Sequence, residues 1–170
     1  KTGQTTSVGP DASARMPDYN RNVRTMPIAW SPVSPDVLFY ASNVVWKSVN
    51  HGHSWTRISP DLARSTWAVP ATVGKYAASV TPAPLGSITA LSPSPRSVRV
   101  LWAGTDDGNV QVTMNGGLAW KNVTPAAIKP WTRIFNLDAG HFDTLTAYVA
   151  ANTLRIDDIN PHFWRTHDGG

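Results

Sequence analysis

The sequence predicts an all-β chain of β-propeller blades, each a sheet of four antiparallel strands, with about two and a half blades present. Three observations carry this. There is no Glu, so all 11 acidic residues are Asp and a good helix former is missing. Gly (12) and Pro (14) punctuate the chain every few positions. The apolar runs recur in sets of four, and a repeated four-strand unit is the mark of radially arranged sheets.

Taken in order, residues 1–24 read as an N-terminal loop or linker. Blade one, 25–60, has runs at 28–32, 37–41, 44–48 and 56–60. A long inter-blade insertion, 61–86, follows. Blade two, 87–125, repeats the unit with runs at 89–93, 98–103, 110–113 and 121–125. An incomplete third blade, 126–170, has runs at 131–135, 146–150 and 163–166, then stops inside its own Gly turn. The expectation is at least ten short strands in three sheets and no helix longer than about two turns. The chain starts at Lys1, its first Met is Met16, and no signal-peptide pattern is present, which reads as either a leader already removed or a piece of a longer polypeptide. An open set of blades would expose apolar rows at Ile28, Trp30, Ile134 and Phe135. These would be covered by the remaining blades of a longer chain, by another polypeptide, or by self-association.

The turn between the third and fourth runs has its own chemistry. Ser48-Val49-Asn50-His51-Gly52-His53-Ser54-Trp55 and Thr113-Met114-Asn115-Gly116-Gly117-Leu118-Ala119-Trp120 share one pattern, which begins again at Thr166-His167-Asp168-Gly169-Gly170. The pattern Ser/Thr-x-Asp-x-Gly-x-Ser/Thr-Trp is the Asp-box. Its carboxylate accepts turn N–H groups, its Gly takes a positive φ, and its Trp packs between sheets. Asn50 and Asn115 replace the Asp and Ala119 replaces Ser/Thr, while Asp168 is retained. The structural set is therefore Ser48, Asn50, Gly52, Trp55, Thr113, Asn115, Gly117, Trp120 and Asp168. Trp55 and Trp120 are expected to be substantially buried, with Trp→Ala costing about 3–5 kcal/mol at either.

With these turns, the strings Thr56-Arg57-Ile58-Ser59-Pro60-Asp61-Leu62, Trp102-Ala103-Gly104-Thr105-Asp106-Asp107-Gly108 and Gly140-His141-Phe142-Asp143 resemble the bacterial Asp-box (BNR-repeat) propeller proteins of the sortilin-like and glycosyl-hydrolase-like group. The resemblance implies an exported, extracytoplasmic protein. The group's scaffold hosts sialidases, xyloglucan-cleaving enzymes and the sortilin ligand-binding domain, so function must be argued from a site.

Composition narrows the classes. The charge of +4 is modest and dispersed and does not argue for nucleic acid. No run approaches the roughly 20 apolar residues of a membrane span. With no Cys, disulfides, thiolate metal sites and a Cys nucleophile are excluded. His51 and His53 sit two apart and His162 and His167 flank the last run, but no third ligand has a compelling spacing, so no metal is expected. No phosphate loop, dinucleotide fingerprint or nucleophile elbow occurs, and no cofactor is expected.

Strand alternation sorts the loops between two faces. The Asp-box turns and the 140–143 turn share a lower face. The upper face, where propellers usually bind ligands, receives 42–43, 61–86, 105–109, 126–130 and 151–161. Asp106 and Asp107 from one blade and Asp157 and Asp158 from the next are the candidate catalytic carboxylates, as acid and base or nucleophile across a sugar. Their structural reading is tight turns and loop caps. Arg64, Trp67, Lys75 and Tyr76 in the insertion are candidate ligand contacts, with aromatic faces for sugar rings and cations for carboxylates. Arg64, Arg96, Arg99, Arg133 and Arg155 are available to hold a substrate carboxylate, though spacing does not group three of them. The leading function is a segment of an exported propeller binding a glycan or protein ligand on its upper face. The alternatives are part of a sialidase-like or endo-glucanase-like glycoside hydrolase using paired Asp residues, and a purely structural propeller segment.

Overall fold

A computed structural model describes residues 3–10, 20–66 and 84–170. Trp67, Lys75 and Tyr76 lie outside the described residues. Among the described residues, eleven strands form three antiparallel sheets. The first holds β1 (Ile28–Trp30), β2 (Leu38–Ala41), β3 (Val45–Ser48) and β4 (Thr56–Arg57). The second holds β5 (Ile88–Pro93), β6 (Leu101–Thr105), β7 (Val110–Thr113) and β8 (Lys121–Asn122). The third holds β9 (Arg133–Ala139), β10 (Ala147–Thr153) and β11 (Asp158–Thr166). Each sheet follows chain order, and the inner strands β1, β5 and β9 pack side by side. These are β-propeller blades. A 3-10 turn, Leu154–Ile156, joins β10 to β11.

Two cores fill the spaces between consecutive sheets. Phe39, Ala41 and Val45 of the first sheet meet Ile88, Leu101 and Ala103 of the second. Trp102, Val110 and Val112 on the other side of the second sheet meet Ile134, Leu137 and Val149 of the third. Along β6, Leu101 and Ala103 serve one core and Trp102 the other, as the two-residue period of a strand requires. Gly104 continues that alternation against Ile134. A Cβ at Gly104 would lie 2.7 Å from Ile134 Cβ and nearer still to Cγ2, so glycine is what lets the two sheets close here.

Ile28, Trp30 and Phe135 are exposed, at 61%, 52% and 62%. Ile134 is not; it is fully buried, at 0%, because that close approach draws it into the second core.

The three glycine turns repeat one hydrogen-bond pattern. Ser48 Oγ and Thr113 Oγ1 accept the N–H of Gly52 (2.8 Å) and Gly117 (2.9 Å), and Thr166 Oγ1 accepts that of Gly170 (3.1 Å). Asn50 Oδ1 and Asn115 Oδ1 accept the N–H of Ser54 and Ala119, both at 2.9 Å. Asn thus makes these bonds without a charge. Asp168 is held below the usual carboxylate range, first by the Thr166 hydroxyl and then by the Gly170 N–H. The turns meet the connections between first and second strands at the same end: Gly116 N–H bonds the Arg99 carbonyl and Gly169 N–H the Leu145 carbonyl.

Trp55 and Trp120 are half-buried rather than enclosed. Trp120 lies against Ile58 of the preceding sheet and donates its indole N–H to the Ile58 carbonyl. Trp55 has Tyr40 and the Val8 carbonyl as its partners. Each ring covers one turn at the sheet rim, so one side stays in water.

Candidate upper-face binding site

At the end opposite the glycine turns, connections from all three sheets are tied together. Arg21 donates its N–H to Asn43 Oδ1, its Nε to the Gly86 carbonyl, and its Nη2 to both oxygens of Asp61. Arg64 donates its N–H to Asp107 Oδ2, and its side chain reaches the Asp107 and Gly108 carbonyls at 2.7 and 3.1 Å. Asp106 Oδ1 accepts the Ser87 N–H at 2.8 Å, while Oδ2 faces Arg155 Nη2 at 3.0 Å. Arg155 Nη1 also reaches the Asp106 carbonyl. A ladder of polar contacts thus runs from the first sheet through both linkers to the 3-10 turn of the third.

Two cavities adjoin this ladder. One of about 40 Å³, room for a water or two, is lined by Arg64, Asp106, Asp107, Trp131 and Arg155, among others. Trp131 holds φ +71, a conformation that costs a bulky residue of order 1–3 kcal/mol. The other, about 240 Å³, lies where the inner strands begin and is lined by Val23, Arg24, Thr25, Thr89, Asp106, Arg133 and Arg155. Thr89 Oγ1 donates to the Ile134 carbonyl and fastens β5 to β9 at its floor. Three arginines and one aspartate line this space. Asp106 is engaged by Arg155, whereas Arg24 and Arg133 have no carboxylate partner among the described residues. Arg133 lies over the Phe135 ring, 5.9 Å from its centroid.

The four candidate carboxylates separate. Asp106 lines both cavities and Asp107 the smaller. Asp107 also accepts the Thr105 hydroxyl inside its own turn. Asp157 and Asp158 line neither cavity. Asp157 ends the 3-10 turn at φ +60, and Asp158 starts β11. The Asn160 backbone N–H, with the Thr153 hydroxyl, the Asn160 amide and His162, holds Asp158 well below the usual carboxylate range. Arg96 and Arg99 belong to the connection between β5 and β6, at the other end, while Arg133 and Arg155 share the larger cavity. His51 meets Asp36 at 3.3 Å and His162 meets Asp158 at 2.9 Å. Among the described residues, no group of three His or Asp side chains is placed to hold a metal. Arg21, Arg24, Asp61 and Ser87 were not singled out from the sequence. The available signal was position, because Arg24 precedes the first inner strand much as Arg133 opens the third.

No protein-family description matches the chain, and no curated protein is similar to it in sequence. Solved structures do share its fold. An ancestral GH74 enzyme matches with a TM-score of 0.56 at 16% identity, over 89% of this chain and 18% of that one. The GH74 enzyme of Niastella koreensis matches at 0.55 and 16%, over 84% of this chain and 21% of that one. The GH74 xyloglucanase of Xanthomonas campestris matches at 0.54 and 20%, over 81% of this chain and 20% of that one. The chain therefore spans about a fifth of the length of these proteins, and the likeness is one of fold. Among the described residues no helix is long and apolar enough to cross a membrane.

Proposed function

We propose that the chain is part of an exported Asp-box propeller that binds an acidic glycan on its upper face. The observation supporting this is the cavity at the head of the inner strands, where Arg24, Arg133 and Arg155 face one space with Asp106 as its carboxylate. A guanidinium is a planar fork of donors that matches a carboxylate or sulfate in two-point contact. Two of the three carry no carboxylate of the protein's own among the described residues, so an incoming anion displaces no ion pair. Phe135, exposed beside Arg133, and Trp131, beside Arg155 and Asp106, supply ring faces for a sugar. Arg64 lines the smaller cavity; Trp67, Lys75 and Tyr76, outside the described residues, stay candidate contacts in this reading on residue type alone. An extracytoplasmic location goes with it, because polymeric acidic glycans are met there.

Hydrolysis is the second reading, favoured by one observation: Asp106 lines both cavities. Asp107 is the other candidate carboxylate on the smaller cavity, where it accepts the Thr105 hydroxyl and the Arg64 N–H, while Asp157 and Asp158 line neither cavity. Binding is preferred because Asp106 already neutralises Arg155, leaving the cavity with a surplus of positive charge.

Calorimetric titration with oligogalacturonates and with neutral xyloglucan oligosaccharides tests the proposal. The acidic ligand should bind, lose affinity as salt rises, and weaken about tenfold or more in the Arg24→Ala, Arg133→Ala double variant. Equal binding of neutral and acidic sugars, or an unaffected double variant, sinks it. Release of reducing ends that stops in Asp106→Asn would instead establish the hydrolytic reading.

A further inference from the structure

The segment that carries Arg24 is held at both ends. At the far end the Pro27 carbonyl accepts the Ala41 N–H at 3.1 Å, and β1 begins at the next residue. At the near end Arg21 closes a ring of polar contacts. Its N–H donates to Asn43 Oδ1 at 2.9 Å, Asn43 Nδ2 donates to Asp61 Oδ2 at 3.0 Å, and Arg21 Nη2 donates to Asp61 Oδ1 and Oδ2 at 2.9 and 2.8 Å. Asp61 Oδ1 also accepts the Ala63 N–H at 3.0 Å, which fixes the carboxylate to its own backbone. Asn43 is fully buried, so the ring is rooted in the first sheet. Arg21 Nε extends it to the Gly86 carbonyl at 2.9 Å, just ahead of β5.

Ser87 registers this segment against the other wall of the larger cavity. It is buried and divides its two donors between the walls. Its hydroxyl donates to the Arg21 carbonyl at 2.9 Å, and its N–H donates to Asp106 Oδ1 at 2.8 Å. Asp106 in turn holds Arg155. Three residues beyond Arg21, Arg24 lines the same cavity as Arg155 and Arg133. Residues 22–27 lie outside the strands. Ordering an irregular segment costs conformational entropy, so the order that aims Arg24 comes from these anchors and not from strand pairing.

We propose that Asp61 and Arg21 are positioning residues: their clasp fixes where Arg24 is presented to the cavity, and so sets the grip on an acidic sugar. The effect on affinity rests on the acidic-glycan reading above, whereas the effect on the placement of Arg24 does not. A guanidinium is needed at 21 because one planar fork reaches the Asp61 carboxylate and the Gly86 carbonyl together, while the ammonium of a lysine is a point donor. A carboxylate is needed at 61 because it accepts from Arg21, Asn43 and Ala63 at once, and an amide gives up one of the two acceptor atoms.

A double-mutant cycle between Asp61 and Arg24 tests this, read by calorimetric titration with oligogalacturonate. Asp61→Asn should weaken binding about threefold to tenfold, and Arg21→Lys similarly. In the Arg24→Ala background Asp61→Asn should cost nothing further, because the group it aims is gone. Trp120→Ala, which acts on stability at the opposite end of the sheets, should leave affinity unchanged. Equal losses from Asp61→Asn with and without Arg24 overturn the proposal, as does an affinity that falls in step with stability in every variant. Hydrogen exchange supplies an arm free of ligand. Asp61→Asn should speed exchange of the amides at 22–25, while those at 105–109, tied by Arg64, keep their rates. Unchanged exchange at 22–25 overturns the proposal. Should Arg24→Ala leave binding intact, the acidic-glycan reading fails and the exchange arm alone decides the clasp. Should Asp61→Asn fail to fold, Arg21→Lys carries both arms.

Discussion

Gly104→Ala tests how the second and third sheets meet. Gly104 is in β6, at a backbone conformation that alanine tolerates, and by strand preference alone the change would stabilise by about 0.5–1 kcal/mol. The new methyl would lie 2.7 Å from Ile134 Cβ and closer to Cγ2. No rotamer of Ile134 escapes a clash with its own Cβ, and the residue is fully buried. The sheets must part, and overpacking of this kind costs about 1–3 kcal/mol. Overlap outweighs preference, so a net loss of about 1–2 kcal/mol is expected, with a midpoint lowered by roughly 2–8 °C. Ile134→Ala alone should cost about 2–5 kcal/mol. The double variant should lose less than the two together, by about 0.5–3 kcal/mol, because the methyl enters space the isoleucine vacates. Urea unfolding followed by Trp fluorescence measures all three. A neutral or stabilising Gly104→Ala, or strict additivity, would mean that β6 and β9 do not approach as described.

Three further outcomes follow from named contacts. Trp120→Ala should cost about 2–3 kcal/mol by chemical denaturation, for roughly half a buried indole and one hydrogen bond; a cost under about 1 kcal/mol would count against its contact with Ile58. Asp143, Asp158 and Asp168 are all depressed below the ordinary 3.8, Asp143 first by the Thr146 N–H. Their contribution is complete above the unfolded value and is lost as pH falls through the lower folded values, so stability should decline from about pH 4 downward and less steeply in Asp158→Asn, as acid titration by circular dichroism would show. Arg64→Ala should cost about 1–3 kcal/mol and speed amide exchange across 105–109, since it frees the Asp107 and Gly108 carbonyls; unchanged exchange there would refute its role as the tie between linker and turn.

The sheets were legible because their determinants are local. Strands β2, β3, β6 and β7 are short β-branched and aromatic runs between turns, and the Ser/Thr-x-Asn/Asp-x-Gly turns carry their own hydrogen-bond partners. What depends on distance was not. The burial of Ile134 follows from a glycine some 30 positions earlier in the chain, on a neighbouring sheet. The half-exposure of Trp55 and Trp120 reflects their place at the sheet rim, which a motif does not record. Val8, in a segment read as a loop, is brought to the first glycine turn only by contacts distant in sequence. At the candidate site, strand alternation put Asp106 and Arg155 on one face, but spacing gave no means of adding Arg133 to them. Arg24, in a segment read as linker, is brought to them only by the packing of β1, β5 and β9.

The ladder of upper-face contacts bears on how an anion would be held. Arg155 has five N–H groups and spends two on Asp106, one on its carboxylate and one on its backbone carbonyl. Three remain, but turning the fork towards a ligand would strain the tie between second and third sheets. Arg24 and Arg133 have no such duty among the described residues. In the proposed reading, the first grip on a carboxylate would fall to them, with Arg155 adding charge from a fixed position. Asp106 then orients Arg155 and limits the cavity's surplus charge. Asp106→Asn should accordingly tighten an acidic ligand if charge governs, and weaken it if the orientation of Arg155 governs. Comparing that variant with Arg155→Lys by titration at two salt concentrations separates the cases. A charge effect shrinks as salt rises, while a loss of orientation persists.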